Sequence, residues 1–287
     1  MKKSFSLHPF LIALFAILIG IFGYLKGVPF LDLMELKTID LRFQSRERIA
    51  PSPNVVLAVV DEKSINKEGK WIWPRSKIAE LVTKLSKAGV RVIAFDIGFL
   101  EPDDKRIIQA INKIENKVND LQIQNTGIKD YLENLKAQVD NDKLLADAIR
   151  NSPSRVVLGY FFQMELAGLE HVSEQKISIH QKNITGSQYK IVRYESGDAQ
   201  NIPLIEAIMP QSNIEVIANS TEYSGFFNMI PDKDGVVRWI PAIFKFNDLL
   251  YAPLSLITAS ASLNSPISVK IAEHGVEGVQ IGGLSIP

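Results

Sequence analysis

The stretch Val55–Pro74, VVLAVVDEKSINKEGKWIWP, decides how the fold is interpreted. Its first six residues are apolar on both faces, which is typical of a strand buried inside a parallel sheet. Two carboxylates, Asp61 and Glu62, end this run, and a loop that contains tryptophan follows. The stretch therefore predicts a buried strand over Val55–Val60 with an acidic carboxyl end.

The following residues complete a βαβ unit. Arg75–Ala88 has apolar residues at helical spacing, and the next residue is Gly89, a favourable helix stop. Val90–Phe95 is predicted as the second strand and ends on Asp96. Because a helical crossover joins parallel strands, residues 55–96 predict an α/β fold with a parallel-containing sheet and flanking helices.

The N-terminus places two lysines before an uncharged apolar run, Phe10–Leu25. Counted from Phe5, this run would rise about 30 Å as a helix, the thickness of a hydrocarbon core. A cleaved signal peptide is the alternative, but no Ala-x-Ala site follows the run. We expect residues 1–28 to form an uncleaved transmembrane helix in the inner membrane, with the main domain on the periplasmic or extracellular side.

Composition argues against several kinds of site. The chain has 287 residues, a formal net charge of zero and no cysteine. Its neutral charge gives no reason to expect a nucleic-acid partner, and disulfides and thiolate chemistry are excluded. The histidines are not spaced as metal ligands, so neither a metal nor another cofactor is expected.

Residues 29–50 predict an amphipathic juxtamembrane helix, and residues 51–287 the α/β domain. Within that domain, residues 104–140 carry a heptad seam that begins at Ile107, Ile111 and Ile114 and resumes after Asn125. This spacing predicts a coiled coil or a helical hairpin. A single helix on the domain surface is the alternative.

The second half of the chain predicts mixed structure. Arg155–Phe162 is predicted as a strand, residues 163–200 as short hairpins or loops, and Ile202–Met209 as a short helix. Asp232–Gly235 predicts the turn of an antiparallel hairpin. Since the last predicted strand, Leu284–Ile286, stands at the very end, we interpret the chain as C-terminally incomplete.

Several segments carry a family resemblance through their order and spacing. They are DLRF at Asp40–Phe43, VVLAVVDEKSI from Val55, WIWPR at Trp71–Arg75, VIAFDIGFLEPD at Val92–Asp103, DKLLADAI at Asp142–Ile149, VVLGYFF from Val156 and GFFNMIPDKDGVVRWIP from Gly225. With them the chain resembles the type-two CHASE domain, a sensor module of bacterial transmembrane receptors. The stretch between Asp103 and Asp142 is longer than in that family.

The resemblance implies an extracytoplasmic input domain without catalysis of its own. In such receptors, further membrane spans and a nucleotide cyclase, diguanylate cyclase or histidine kinase normally follow. It implies a small-molecule or protein ligand, and a homodimer formed through the heptad insert is a further hypothesis. A periplasmic hydrolase or phosphatase on an α/β sheet is the alternative function.

Polar residues near the predicted strand ends are the candidate ligand site, because open α/β sheets bind ligands at the carboxyl ends of their strands. The candidates are Asp61, Glu62, Trp73, Arg75, Asp96 and Glu101. In the alternative interpretation, the carboxylates cap turns and pair with Arg75 as part of the framework. No catalytic residue is assigned.

Overall fold

The computed structural model describes residues 7–168, 171–195 and 202–287. The chain divides into two compact units. One ends at Val60 and also contains Pro231–Arg238, and the other comprises Asp61–Ile230 and Trp239–Pro287. Part of the segment 163–200, predicted as short hairpins or loops, lies outside the described residues. The prediction is wrong for Glu174–Asn183, which is a helix whose start is capped by the Ser173 side chain.

The first unit contains two helices, α1 (Leu7–Lys26) and α2 (Pro29–Ser45). A helix is present within the predicted juxtamembrane segment, but none of its residues is buried, so its amphipathic character stays a prediction. Its first residue is proline, which suits the first helical position. None of the described helices passes, on its own, a length and hydropathy test for a membrane span. Pro9–Leu25 and Pro29–Ser45, bent by 80°, pass it together as a pair. The single transmembrane helix therefore stays a prediction.

The predicted strand over Val55–Val60 is wrong. This segment forms no strand, and its exposed fraction reaches 84% at Val56 and 82% at Leu57. β-Branched residues favour an extended backbone, but a strand also needs a neighbour that takes its hydrogen bonds. No described strand pairs with this segment, so the βαβ unit lacks its first strand.

The second unit holds the remaining elements. Its helices are α3 (Glu62–Glu68), α4 (Arg75–Lys87), α5 (Arg106–Asp120), α6 (Thr126–Val139), α7 (Asn141–Arg150), α8 (Glu174–Asn183), α9 (Glu215–Ala218) and α10 (Leu254–Leu263), with a 3₁₀ turn at Thr185–Ser187. Its strands are β1 (Val92–Phe95), β2 (Arg155–Gln163), β3 (Ile191–Tyr194), β4 (Met209–Gln211), β5 (Tyr223–Phe226), β6 (Phe244–Phe246), β7 (Leu249–Tyr251), β8 (Ile267–Ala272), β9 (Gly275–Ile281) and β10 (Leu284–Ile286).

A parallel-containing sheet lies at the centre of this unit, as predicted. Strand β2 pairs in parallel with β1 and with β5, and β4 adds to β2 in antiparallel fashion. Gly159 of β2 permits a close approach, because a Cβ there would lie 2.2 Å from the carbonyl oxygen of Phe95. The parallel sheet was predicted correctly, but β5 takes part in it and Val55–Val60 does not.

Helices α4 and α7 cover this sheet with the apolar faces that their sequences predict. Val82 of α4 and Leu145 of α7 are completely buried, and both pack in one core cluster with Phe95 and Leu158. This packing explains why the two helices form where the periodicity predicts them, since the buried faces supply most of a helix's stability in a protein.

A second sheet has the order β10-β9-β8-β3, and β6 and β7 form a separate hairpin. The hairpin turns through Asn247 and Asp248, both with positive φ, as a tight two-residue connection requires. The short helix predicted over Ile202–Met209 is wrong, because this segment is irregular and ends in β4. Its apolar residues pack against the core from a loop, which helical spacing alone does not distinguish.

The heptad insert is a helical hairpin, and the single-helix alternative is wrong. Helices α5 and α6 contact each other, and Lys136 pairs with Glu115 across them. The chain reverses after Leu121, where Gln122 adopts a φ of 53°. Gly127 lies beyond this reversal, in the first turn of α6.

Candidate functional site

Arg75 is the only predicted site residue with a buried side chain. It begins α4, and its guanidinium lies 4.8 Å from the centre of the Phe99 ring. Its Nη2 donates to the carbonyl of Glu101 at 3.4 Å, while its buried Nε has no hydrogen-bond partner among the described residues. Arg75 is therefore held by packing and retains one unused donor.

Two aspartates that sequence reasoning did not single out surround Arg75. Asp103 accepts the backbone N–H of Arg75 at 2.8 Å, and so caps the first turn of α4. Asp142, at the start of α7, is 3% exposed and accepts the N–H of Asp103 at 3.1 and 3.2 Å. The loop after β1 thus joins the N-termini of both helices.

Asp142 lies close to Arg75 without a hydrogen bond to it. The Arg75 Nε is 4.0 Å from the Asp142 Oδ1. Burial raises the pKa of Asp142, and the N–H of Asp103 with the charges of Lys105 and Arg75 opposes this only in part. The arrangement is a buried, loosely joined ion pair at the carboxyl end of β1.

Asp61 and Glu62 lie at the start of α3 rather than at the end of a strand. Asp61 accepts the N–H and the hydroxyl of Ser64 at 2.9 and 2.7 Å, and these hydrogen bonds lower its pKa. This confirms the alternative in which Asp61 caps the following turn. Glu62 is exposed on the first turn of the same helix.

Trp73 is half-buried beside the first core helix. Its Nε1 donates to the carbonyl of Gly69 at 2.8 Å, and its ring packs against the core cluster below α4. Trp71 meets it edge to face at 5.4 Å and is more exposed. Trp73 therefore closes the core, while Trp71 remains on the surface.

Asp96 and Glu101 stand on the loop that follows β1. Both side chains are exposed, and partial burial raises the pKa of Asp96. The loop is fixed by Asn213, whose side chain accepts from the N–H of Phe99 at 2.7 Å and donates to the carbonyl of Gly159 at 2.9 Å.

The structure brings Arg75 and Glu101 together and leaves Asp61 in a separate contact. Asp103 and Asp142 stand in segments that carry the family resemblance, whereas no sequence pattern singles out Asn213.

A second polar cluster lies in the other unit and centres on Arg238. The Arg238 side chain is 3% exposed and makes paired hydrogen bonds to Asp40 of α2 at 2.8 and 3.0 Å. It makes another such pair to Asp234 at 2.9 Å and one bond to Asp232 at 2.9 Å. We call these four residues the Arg238 clasp.

The clasp joins α2 to the turn that the sequence predicted at Asp232–Gly235. That turn is present, since the N–H of Gly235 donates to the carbonyl of Asp232 at 2.8 Å. The antiparallel hairpin predicted around it is wrong, because residues 227–243 form no strand and β5, which precedes them, pairs in parallel with β2. Hydrogen bonds from Arg238 hold the pKa of Asp234 far below its usual range, and the carboxylates raise that of Arg238. Arg238, Asp234 and Asp40 therefore stay charged at physiological pH, and their paired, charge-assisted hydrogen bonds connect α2 to the turn.

Among the residues that the structure describes, no group of three or more histidine, aspartate or glutamate side chains is placed to hold a metal ion.

A family model described as CHASE2 domain matches residues 12–286. The chain therefore belongs to the CHASE2 domain family, which is a family of extracellular sensor domains. No curated protein matches the chain, and no solved structure matches it.

Proposed function

We propose that this CHASE2 domain is the extracytoplasmic input domain of a membrane-bound signal-transduction receptor. The observation that carries the proposal is the family match over 12–286, together with the apolar helix α1 ahead of the folded domain. In this proposal α1 anchors the chain in the inner membrane, and the domain has no catalysis of its own. A nucleotide cyclase, diguanylate cyclase or histidine kinase would receive the signal.

The ligand, a small molecule or a protein, would bind at the loop after β1 and the start of α4. The residues proposed for contact are Asp61, Glu62, Trp73, Arg75, Asp96 and Glu101. The unused Nε donor of Arg75 supports this placement, because a ligand oxygen would satisfy it. The exposed carboxylates of Asp96 and Glu101 on the same loop supply acceptors.

The signal would pass from the domain to α2 through the Arg238 clasp. Residues 231–238 are covalently continuous with the second unit at both ends, at Ile230 and Trp239. Their Arg238 holds Asp40 of α2 through two hydrogen bonds. A ligand that binds two arrangements of the domain unequally would therefore bias the position of this loop and, with it, α2.

The membrane topology of the chain is the most direct test of this proposal. Because the sequence has no cysteine, a single introduced cysteine reports on one position alone. Two single-cysteine variants are compared: Glu133→Cys on the exposed surface of α6 and Ser4→Cys ahead of the apolar run. In intact spheroplasts, a membrane-impermeant maleimide should label Glu133→Cys and leave Ser4→Cys unlabelled. Labelling of Glu133→Cys only after the membrane is permeabilised would contradict the proposal.

We also propose that the helical hairpin forms a homodimer contact. Ile107 and Ile114 of α5 and its C-cap residue Leu121 repeat every seven positions and are exposed, by 61%, 53% and 59% respectively. Such a stripe matches the seam of a coiled coil. Ile114→Glu should convert a dimer to a monomer in sedimentation velocity, while the neighbouring change Lys113→Glu should not. A monomeric parent chain at high concentration would refute the contact.

A further inference from the structure

A polar cavity of about 350 Å³ lies in the second unit, away from the loop after β1. It is bounded by the last residues of α7 and α8, the 3₁₀ turn and the segment from α9 into β5. Except for Ala218 and Gly186, every lining side chain is charged or carries a hydroxyl or amide group. The cavity therefore suits a hydrophilic occupant and offers little to an apolar one.

Gly186 keeps the two walls of the cavity together. A Cβ at this position would lie 2.1 Å from the carbonyl oxygen of Glu222 and 3.0 Å from the backbone nitrogen of Ser224. Only glycine permits so close an approach between the 3₁₀ turn and the start of β5. The cavity is thus built from closely packed backbone segments.

Two buried polar atoms of the lining residues have no hydrogen-bond partner. Ser224 is 5% exposed, and its hydroxyl is unpaired. The Oδ1 of Asn183 is also buried and unpaired. Its amide nitrogen donates to the carbonyl of Asn213 at 3.3 Å, which fixes the orientation of the amide because a carbonyl only accepts. Among the described residues, the cavity wall therefore contains one acceptor and one hydroxyl without partners, and each becomes reachable from the cavity when its side chain turns toward it.

The charges at the cavity favour an anion. Arg150 is already paired with Asp147 at 2.7 Å. The ammonium group of Lys182 forms no ion pair within the part of the chain that the structure describes. Glu222 is the one lining carboxylate and is exposed. An anionic ligand group at Lys182 would use the uncommitted charge.

We propose that this cavity binds a small organic carboxylate that also carries hydroxyl groups. The carboxylate would contact Lys182 and accept from the Ser224 hydroxyl, and a ligand hydroxyl would donate to the Asn183 Oδ1. Binding is a property of the folded domain, and it rests on the proposed sensor function only for its biological role.

Three-carbon probes separate the parts of this proposal. D-Glycerate has the carboxylate and hydroxyls, propionate has the carboxylate alone, and glycerol has hydroxyls alone. Titration calorimetry of the full 287-residue chain should give a dissociation constant for D-glycerate at least 10-fold below those of the other two. Propionate that binds as tightly as D-glycerate would overturn the proposal. So would the absence of binding heat with D-glycerate at millimolar concentration, which would mean that water alone fills the cavity.

Two variants test the assignment of residues. Lys182→Gln should weaken D-glycerate binding at least 10-fold, whereas Lys176→Gln on the same helix, outside the lining, should leave it unchanged. Ser224→Ala should weaken binding and also raise the melting temperature of the ligand-free chain, since it removes a buried unpaired hydroxyl. Unchanged binding in both Lys182→Gln and Ser224→Ala would show that the cavity is not the site. The topology experiment is independent of these results, so either proposal can fail alone.

Discussion

The pairing of Arg75 with Asp142 predicts a measurable coupling energy. At the observed 4.0 Å, two unit charges attract by about 4 kcal/mol with an effective dielectric constant of about 20, which sets an upper bound. No hydrogen bond joins the two side chains, and contacting residues typically couple by about 0.5–3 kcal/mol. We therefore expect a coupling of about 2 kcal/mol at pH 7.

A double-mutant cycle with Arg75→Met, Asp142→Asn and the double variant measures this coupling through urea unfolding. The surface pair Arg150–Asp147 is the matched control, since it is shorter at 2.7 Å but about half exposed. Exposed pairs contribute about 0.2–1 kcal/mol, so the longer, buried pair should couple more strongly than the shorter one. A coupling below that of the control would refute the expectation that burial strengthens this ion pair.

The pH dependence of the same cycle supplies a second check. Because the pKa of Asp142 is raised in the folded protein, its protonation stabilises the fold at low pH, and this contribution is lost as the pH rises through the folded pKa. The parent should therefore gain stability relative to Asp142→Asn between pH 7 and pH 4. The coupling to Arg75 should fall as the pH drops through the folded pKa, since a neutral carboxyl no longer attracts the guanidinium.

Three further predictions concern the core and the clasp. Phe162 is 1% exposed, and the centres of five aromatic rings lie 5.3–6.1 Å from the centre of its own ring. Phe162→Ala should therefore lower the free energy of unfolding, measured in urea, by about 4–5 kcal/mol. Phe161 is half-buried against a single ring, so Phe161→Ala should lower it by less than half as much. Gly225→Ala should destabilise the fold by about 2–3 kcal/mol, because a Cβ at this position would lie 2.5 Å from the backbone of α10. Gly283 has open space around it, so Gly283→Ala should change the stability by less than about 0.5 kcal/mol. Arg238→Lys keeps the positive charge but loses the paired hydrogen bonds to Asp40 and to Asp234. An aspartate-specific protease should therefore cut the adjoining turn several-fold faster in this variant. An unchanged rate would argue against the clasp.

The failures of the sequence-based predictions share a physical cause. Val55–Val60 has the composition of a buried strand but finds no partner strand in the structure. Asp61 was assigned to the end of that strand, and its actual role is to cap α3 through Ser64. Composition reports what a segment prefers locally, whereas strand pairing depends on which other segments come alongside.

The candidate site was predictable only in part. Arg75 was identified because it directly follows the tryptophan loop, and Glu101 because it follows β1. Asp142, which lies 4.0 Å from Arg75, stands 39 residues beyond the Asp103 whose N–H it accepts. No local pattern indicates that this aspartate is buried beside an arginine.

By itself, the sequence determined the helix α4, the strands β1 and β2 and the family of the domain, because each depends on periodicity or on motif order within a short stretch. Only the tertiary structure decided which residues meet at a distance. Arg238 and Asp40 are 198 residues apart, yet they share two hydrogen bonds. Such a contact depends on how the whole chain packs, because the identity of each residue does not say which distant residue comes within hydrogen-bonding distance of it.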